Sequence, residues 1–172
     1  MSKHIEDGFT LFELLISLVI VAILVSLAIF GFQQYFRYQE VQNSQQLILQ
    51  TIQFARSKAM QQSHHVVICA SSDQSSCTTQ GWQQGFIVFT DKNNNRQFDH
   101  HDVLLAAHRF DLRYANLSWA SLNTQRLSFV PNNGRPLGSN GSFHYCSNQS
   151  KFNYAIAISN VGNTRVHQSP SC

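Results

Sequence analysis

The feature that most constrains this chain is a long apolar run near its N-terminus that contains one carboxylate. Between Phe9 and Phe30 the polar side chains are Thr10, Glu13, Ser17 and Ser26. A helix of about 22 residues is long enough to cross the ~30 Å hydrocarbon core of a bilayer. A carboxylate costs about 2.5–3.5 kcal/mol at the centre of a bilayer on insertion scales, so Glu13 indicates a functional role.

An ordinary secretory signal does not account for this run. Such signals have an apolar stretch of about 7–15 residues that is followed by a cleavage site between small residues. The run here is longer, and it continues into Gln33, Gln34 and Tyr35 without an A-x-A site. The sequence therefore predicts a helix that stays in the mature protein.

The residues before the run resemble a known processing signal. The stretch Gly8-Phe9-Thr10-Leu11-Phe12-Glu13 resembles the class III signal of type IV prepilins. The resemblance implies that a prepilin peptidase cuts after Gly8 and methylates the new N-terminal Phe9. It also implies that Glu13 pairs with the N-terminal amine of a neighbouring pilin or pseudopilin in a filament.

The helix is expected to continue beyond the apolar run. Apolar residues recur at helical spacing in one stripe, which is formed by Val41, Ile48, Ile52, Ala55 and Ala59. Since no Gly or Pro interrupts residues 32–62, we expect a helix from Phe9 to about Gln62. The predicted divisions are a leader at 1–8, a transmembrane helix at 9–32, an amphipathic continuation at 33–63 and a β-rich head at 64–172.

The head is predicted to be all-β. Seven short segments with strand-like composition alternate with turn residues, and no βαβ alternation occurs, so the sheet should be antiparallel. The predicted strands are Val66–Ala70, Gly85–Thr90, Val103–Phe110, Leu117–Ala120, Leu127–Val130, Phe143–Cys146 and Tyr154–Ser159. The fold class is therefore α+β, with one long N-terminal helix packed on an antiparallel sheet.

Motifs in the head resemble the GspH/FimT branch of minor pilins and pseudopilins. They are Ala55-Arg56-Ser57-Lys58-Ala59, Val66-Val67-Ile68-Cys69 and the run from Gly81 to Asp91. The resemblance implies a non-enzymatic subunit of a type IV pilus or, alternatively, the H-type pseudopilin of a type II secretion system. It implies no cofactor, and residues 64–172 are expected in the periplasm with the anchor in the inner membrane.

Four cysteines lie beyond the apolar run, at Cys69, Cys77, Cys146 and Cys172. An even number of cysteines in an exported domain indicates two disulfides, for which three connectivities are possible. Proximity in sequence favours a Cys69–Cys77 bond, which leaves Cys146 to pair with Cys172.

Other candidate sites give weaker signals. The stretch Asp91–Asp102 imitates a calcium loop, but Arg96 stands at the glycine position and Asp102 at the final glutamate position, so an Asn-rich hairpin turn is the preferred interpretation. The histidine pairs at 64–65 and 100–101 are interpreted as exposed or turn residues because neighbours on a strand point to opposite faces. We expect no metal site and no catalytic residue.

The C-terminal part of the chain is basic, which suits a polyanion or an anionic surface as a partner, although charge alone favours an ordinary, mildly basic periplasmic surface. After Val103 there are six Lys or Arg and a single acid, Asp111. FimT-type members that take up DNA carry a Gly-Arg-x-Arg motif after the last strand. Gly162 and Arg165 match that motif, whereas Asn163 stands in place of its first Arg. The predicted ligands for double-stranded DNA, on what would be a flexible tail and its surroundings, are Asn163, Arg165, Arg135, Arg126 and Lys151.

Overall fold

The computed structural model describes residues 10–122, 125–136 and 138–169 together with Cys172. These residues form one long α-helix, eight strands and a single-turn 3₁₀ helix. Their contacts divide the chain into two units, one that ends at Gln39 and one that begins at Glu40. Phe9 lies outside the described residues, as does the whole predicted leader.

Helix α1 spans Leu11–Gln61, close to the bounds that the sequence predicts. Thr10 caps its N-terminus, where the Oγ1 atom accepts a hydrogen bond from the Glu13 N–H at 3.3 Å. In the unit that ends at Gln39, the hydroxyls of Ser17 and Ser26 donate to main-chain carbonyls one turn earlier, at 2.8 and 2.7 Å. These bonds satisfy both hydroxyls inside an apolar segment.

The apolar side chains of α1 between Leu11 and Leu27 are exposed. Within the described residues, α1 is the one helix that is long and apolar enough to cross a membrane by length and composition. An exposed apolar surface of this kind is one that a bilayer or a bundle of like helices would cover.

In the second unit, α1 contributes to the core through the predicted stripe. Val41, Ile48, Ile52, Ala55 and Ala59 are all buried, which confirms the amphipathic interpretation. Ser44 is also buried on this side, and its hydroxyl lies 2.9 Å from the Tyr154 hydroxyl.

The strands form two antiparallel sheets of four strands each. Sheet A has the order β3-β2-β1-β5, and sheet B has the order β4-β6-β7-β8. The antiparallel prediction is confirmed, although the strand pattern alone did not reveal that the strands divide into two sheets. The bounds are β1 His65–Ala70, β2 Gly85–Asp91, β3 Val103–Arg109, β4 Ala115–Ser121, β5 Leu127–Phe129, β6 Gly141–Ser147, β7 Tyr154–Ile158 and β8 Thr164–Gln168, with the 3₁₀ turn at Ser150–Phe152.

Strand β8 corrects the sequence interpretation, which places the seventh and last strand of the head at Tyr154–Ser159 and treats the following residues as a flexible tail. Thr164–Gln168 pairs along its full length with β7. Four of its five side chains are exposed and the fifth is half-buried. Because β8 is an edge strand with little burial, it lacks the apolar alternation by which a strand is recognised in a sequence.

Two cysteine pairs fasten the second unit. Cys69 bonds to Cys77, eight positions later in the chain (the short-loop disulfide), and Cys146 of β6 bonds to Cys172 (the C-terminal disulfide). This is the pairing that proximity in sequence favours. The C-terminal disulfide ties the chain end that follows β8 to the neighbouring part of sheet B.

Candidate nucleic-acid interface

The Gly162–Arg165 segment is a closed hairpin turn that leads into β8. The Gly162 N–H donates to the Ser159 carbonyl at 2.8 Å, and the Ser159 N–H donates to the Asn163 carbonyl at 3.0 Å. The Ser159 hydroxyl also accepts a bond from the Asn163 N–H at 3.1 Å. Gly162 has φ = 84°, a conformation that glycine adopts without steric cost. The turn is therefore ordered by its own hydrogen bonds.

Arg56 of helix α1 is hydrogen-bonded to this turn. Its Nη1 donates to the Gly162 carbonyl at 3.2 Å. A second turn meets the same side chain, since a Cβ added at Gly134 would lie 2.7 Å from the Arg56 Cγ. The two turns also touch each other, because a Cβ added at Gly162 would lie 3.4 Å from the Gly134 carbonyl oxygen. Arg56 thus fixes the turns that carry Asn163 and Arg135.

Arg165 follows the turn on an exposed strand position. It pairs in register with Ala157 of β7, and its side chain is exposed. None of the four strands of sheet B contains an Asp or Glu. The guanidinium is therefore presented on a sheet surface without carboxylates, where it is suited to bidentate contact with a phosphate.

The structure brings together only part of the predicted DNA-binding set. Asn163, Arg165 and Arg135 lie in or beside the two touching turns, and all three are exposed. Lys151 is also exposed but lies at the opposite end of the β7–β8 hairpin, where its carbonyl accepts a bond from Gln168 Nε2 at 3.4 Å.

Arg126 is set apart from the other candidates because it precedes β5 of sheet A. Its Nη2 donates to Gln97 Oε1 at 3.0 Å. Burial, with a smaller contribution from nearby Arg96, lowers the pKa of the Arg126 guanidinium. These interactions hold Arg126 against the β2–β3 turn, which makes it the least available of the predicted cations.

In the β2–β3 turn, the carboxylate oxygens of Asp91 and Asp102 accept hydrogen bonds from N–H groups of the turn itself. Asp91 is fully buried and accepts from the N–H groups of Asn95 and Arg96 at 3.2 and 2.9 Å. Asp102 accepts from the Lys92 and Asp99 N–H groups at 3.0 and 3.1 Å. The arrangement is that of the Asn-rich turn expected from the sequence.

Asp99 completes the turn, and the bond that it accepts from the His101 N–H is the main cause that lowers the pKa of this carboxyl. His100 and His101 lie in the turn with ring centroids 3.8 Å apart, so the argument that neighbouring histidines point to opposite faces does not apply to this pair. Within the described residues no group of three or more His, Cys, Asp or Glu is placed to hold a metal ion.

Glu13, the predicted assembly residue, lies in the first turn of α1 and is exposed. A carboxylate at this position interacts favourably with the helix dipole. Gly8 and Phe9, the predicted processing residues, lie outside the described residues.

Sequence reasoning missed two residues that position the head. Arg56 belongs to a motif that the sequence analysis uses only as a sign of the family. Its position next to Ala55 and near Ala59, two residues of the predicted buried stripe, was a signal that the guanidinium has a partner in the fold. Glu40 precedes the buried Val41 in the same way. Its carboxylate accepts bonds from the Arg113 N–H at 2.8 Å, the Tyr114 N–H at 3.2 Å and the Tyr145 hydroxyl at 2.8 Å.

Comparison with known families decides what kind of protein carries this head. Residues 44–162 match the family model described as type II transport protein GspH. The chain belongs to the GspH family. Residues 4–31 match the prokaryotic N-terminal methylation motif, which covers the segment that resembles a prepilin signal. This GspH-family subunit is thus a minor pilin or pseudopilin of the type IV pilus or type II secretion kind, and the family is a structural one that is not known for catalysis.

Solved structures agree with this assignment at the level of the fold. The type IV minor pilin FimU of Pseudomonas aeruginosa, in its P21 crystal form, matches with a TM-score of 0.58 and 20% identity over 75% of this chain and 89% of that one. Its P65 form matches with a TM-score of 0.55 and 20% identity over 73% of this chain and 91% of that one. No curated protein sequence matches the chain.

Proposed function

We propose that this GspH-family subunit is a minor pilin of a type IV pilus, and that the basic head of the subunit binds double-stranded DNA when the DNA is taken up in natural transformation. The observation that carries the proposal is the exposed Arg165, which an ordered turn presents on a sheet without acidic residues. Binding through phosphates would be independent of sequence and sensitive to salt.

DNA binding is tested by titrating the full chain, in a non-ionic detergent, against a short fluorescent duplex over a range of salt concentrations. The affinity should fall as salt rises, and Arg165→Ala should reduce the slope of log K against log salt by about 0.9, the value for one phosphate contact. Arg109→Ala is the matched control, because Arg109 is an exposed arginine at the end of an edge strand of sheet A. Absence of binding at low salt would refute DNA binding.

Processing and assembly form the second part of the proposal. Prepilin peptidase would cut after Gly8 and methylate Phe9, and residues 9–32 would anchor the subunit in the inner membrane before it joins the filament. The match to the methylation motif and the exposed apolar side chains of α1 support this. Mass spectrometry of the mature protein should find N-methylated Phe9 at its start, and a chain that still begins at Met1 would refute it.

Glu13 would pair with the N-terminal amine of a neighbouring subunit. Glu13→Gln should therefore reduce incorporation into sheared filaments while the amount of protein in the membrane stays unchanged. Ser17→Ala is the matched control, because Ser17 lies one turn later on the same exposed segment and bonds only to its own helix. Equal incorporation of both variants would refute the role of Glu13.

The β-rich head, predicted at residues 64–172, would lie in the periplasm. The two disulfides support this location, because disulfides form and persist in oxidising compartments. Protease added to spheroplasts should cleave the head, whereas a head that is protected until the membrane is lysed would contradict this orientation.

The alternative function is that of an H-type pseudopilin in a type II secretion system, without DNA binding. The description of the family model, which names type II transport, favours it. Deletion of the gene distinguishes the two: loss of surface pili and of transformation supports the pilus function, whereas loss of protein secretion with normal piliation supports the pseudopilin. The neighbouring genes provide an independent indication.

A further inference from the structure

The register of sheet B defines a surface that sequence inspection did not reveal. Side chains that point away from the core stand in rows across the strands. We call the two rows that cross all four strands the outer face; the next row contains Asn116 and Cys146, which carries the C-terminal disulfide. The first row contains Ala120, Ser142, Ala157 and Arg165, and the second contains Ser118, His144, Ala155 and His167. The alternate positions of β4, β6 and β7 belong to the hydrophobic core.

The outer face has small side chains on the inner strand β7, with a basic side chain on the neighbouring strand to either side. Ala155 lies in register between His144 and His167 and is fully buried. The backbones of these two histidines are two strand spacings apart, or about 9.6 Å. Arg165 is two residues from His167 along β8, a separation of about 6.6 Å. Three basic side chains therefore stand beside Ala155 and Ala157 on this face.

The ionisable side chains in the two rows of this face are all basic. Its ionisable side chains are His144, His167 and Arg165, and the remaining members of both rows are alanine or serine. Lys151 lies at the end of the hairpin where β8 finishes. The Glu40 carboxylate reaches the hydroxyl of Tyr145, whose side chain is on the core side. Cys172, the last residue of the sequence, is bonded to Cys146, two residues from His144 on the outward side of β6, so its α-carboxyl group is an acidic group beside one edge of the face. The face is complementary to a polyanion.

We propose that the DNA backbone lies across the outer face, and that His144 and His167 join Arg165 as phosphate ligands once they are protonated. This inference rests on the proposed DNA binding and adds its regulation: uptake would be favoured in an acidic environment. Histidine is the side chain whose charge ordinarily changes between about pH 5 and 8. Each additional cation that neutralises a phosphate adds about 0.9 to the salt slope.

The test compares salt titrations of the full chain in non-ionic detergent at about pH 8 and about pH 5.5. For the wild type, the slope of log K against log salt should become steeper by about 1.8 at the lower pH, because two phosphate contacts are gained. The double variant His144→Gln and His167→Gln should bind as the wild type does at high pH and lose this change. The matched control is His100→Gln with His101→Gln, a pair of exposed histidines in the β2–β3 turn, which should retain it.

The two proposals fail differently. Absence of DNA binding at either pH refutes the proposed function itself. Binding with a slope that does not change with pH, or a change that persists in the His144/His167 variant, overturns this inference and leaves the DNA-binding proposal intact. Loss of the change in the His100/His101 control would also overturn it, because the titrating groups would then lie on the other sheet.

Discussion

Replacing Glu40 by alanine should destabilise the head by about 3 kcal/mol. The carboxylate accepts three hydrogen bonds, from the Arg113 and Tyr114 N–H groups and from the Tyr145 hydroxyl. A hydrogen bond to a charged group contributes about 1.5–3 kcal/mol, and loss of the acceptor leaves donors without partners. Because Glu40 is half-buried and water can replace part of what is lost, we take a value below the sum of three such bonds.

The assay is urea unfolding followed by tryptophan fluorescence. Both tryptophans, Trp82 and Trp119, are buried in the core of the head, so the signal reports the unfolding of this unit alone. Tyr145→Phe should cost about 1.5 kcal/mol, since it removes one of the three bonds and leaves the carboxylate with two donors.

Asp111→Ala is the matched control for the loss of an acid in the same region. Its carboxylate forms an exposed ion pair with Arg113, and such a pair contributes about 0–1 kcal/mol. The reasoning would be refuted if the alanine variant of Glu40 unfolded within about 1 kcal/mol of the wild type, or if the control cost as much.

Three further predictions concern the turns and the cross-links. Gly134→Ala should destabilise the head by about 1–2 kcal/mol more than Gly138→Ala. Both glycines have φ near 60°, but among the described residues only the Cβ added at Gly134 would meet neighbours, which belong to α1. Equal losses in thermal melts would contradict this. The hydrogen bond from the Ser75 N–H, with those next to it, holds the pKa of the Asp73 carboxyl well below its usual value. The ionised carboxylate therefore stabilises the fold above about pH 4, and this contribution is lost as the pH falls further. Asp73→Asn should flatten the plot of stability against pH below about pH 4, and an unchanged plot would contradict this role. Replacing the cysteines of the C-terminal disulfide by serine should cost about 3.5 kcal/mol, against about 2.5 kcal/mol for the short-loop disulfide, because the sequence separations are 26 and 8 residues; the reverse order in urea unfolding would count against the chain-entropy account.

The helix and most strands were predictable because their buried positions carry apolar residues, which leave a recognisable pattern in the sequence. The stripe from Val41 to Ala59 has a helical period, and β1 and β2 are almost continuously apolar since both faces of these strands are covered. Phe98 of the β2–β3 turn, for example, packs on Phe89 with ring centroids 5.3 Å apart. Strand β8 was missed because its side chains are exposed and its pairing with β7 is made by the backbone.

The candidate site was predicted only in part for the same reason. The sequence identified Arg165 as a cation after a glycine, but it assigned Arg165 to a flexible tail and grouped it with Arg126, which immediately precedes a strand of the other sheet. His144 and His167 are far apart in the chain and carry no motif. Their proximity depends on the register of three strands, which is a property of the folded sheet.

The sequence by itself determined the family, the long apolar N-terminal segment, the carboxylate within it and the number of cysteines, because each of these is a local pattern or a property of composition. Only the tertiary structure decided that the C-terminal segment is an ordered edge strand, that Arg56 and Glu40 position the head, and which basic side chains share a surface. The physical reason is that backbone pairing and cross-strand register join residues distant in sequence without requiring a particular side chain at most of the paired positions.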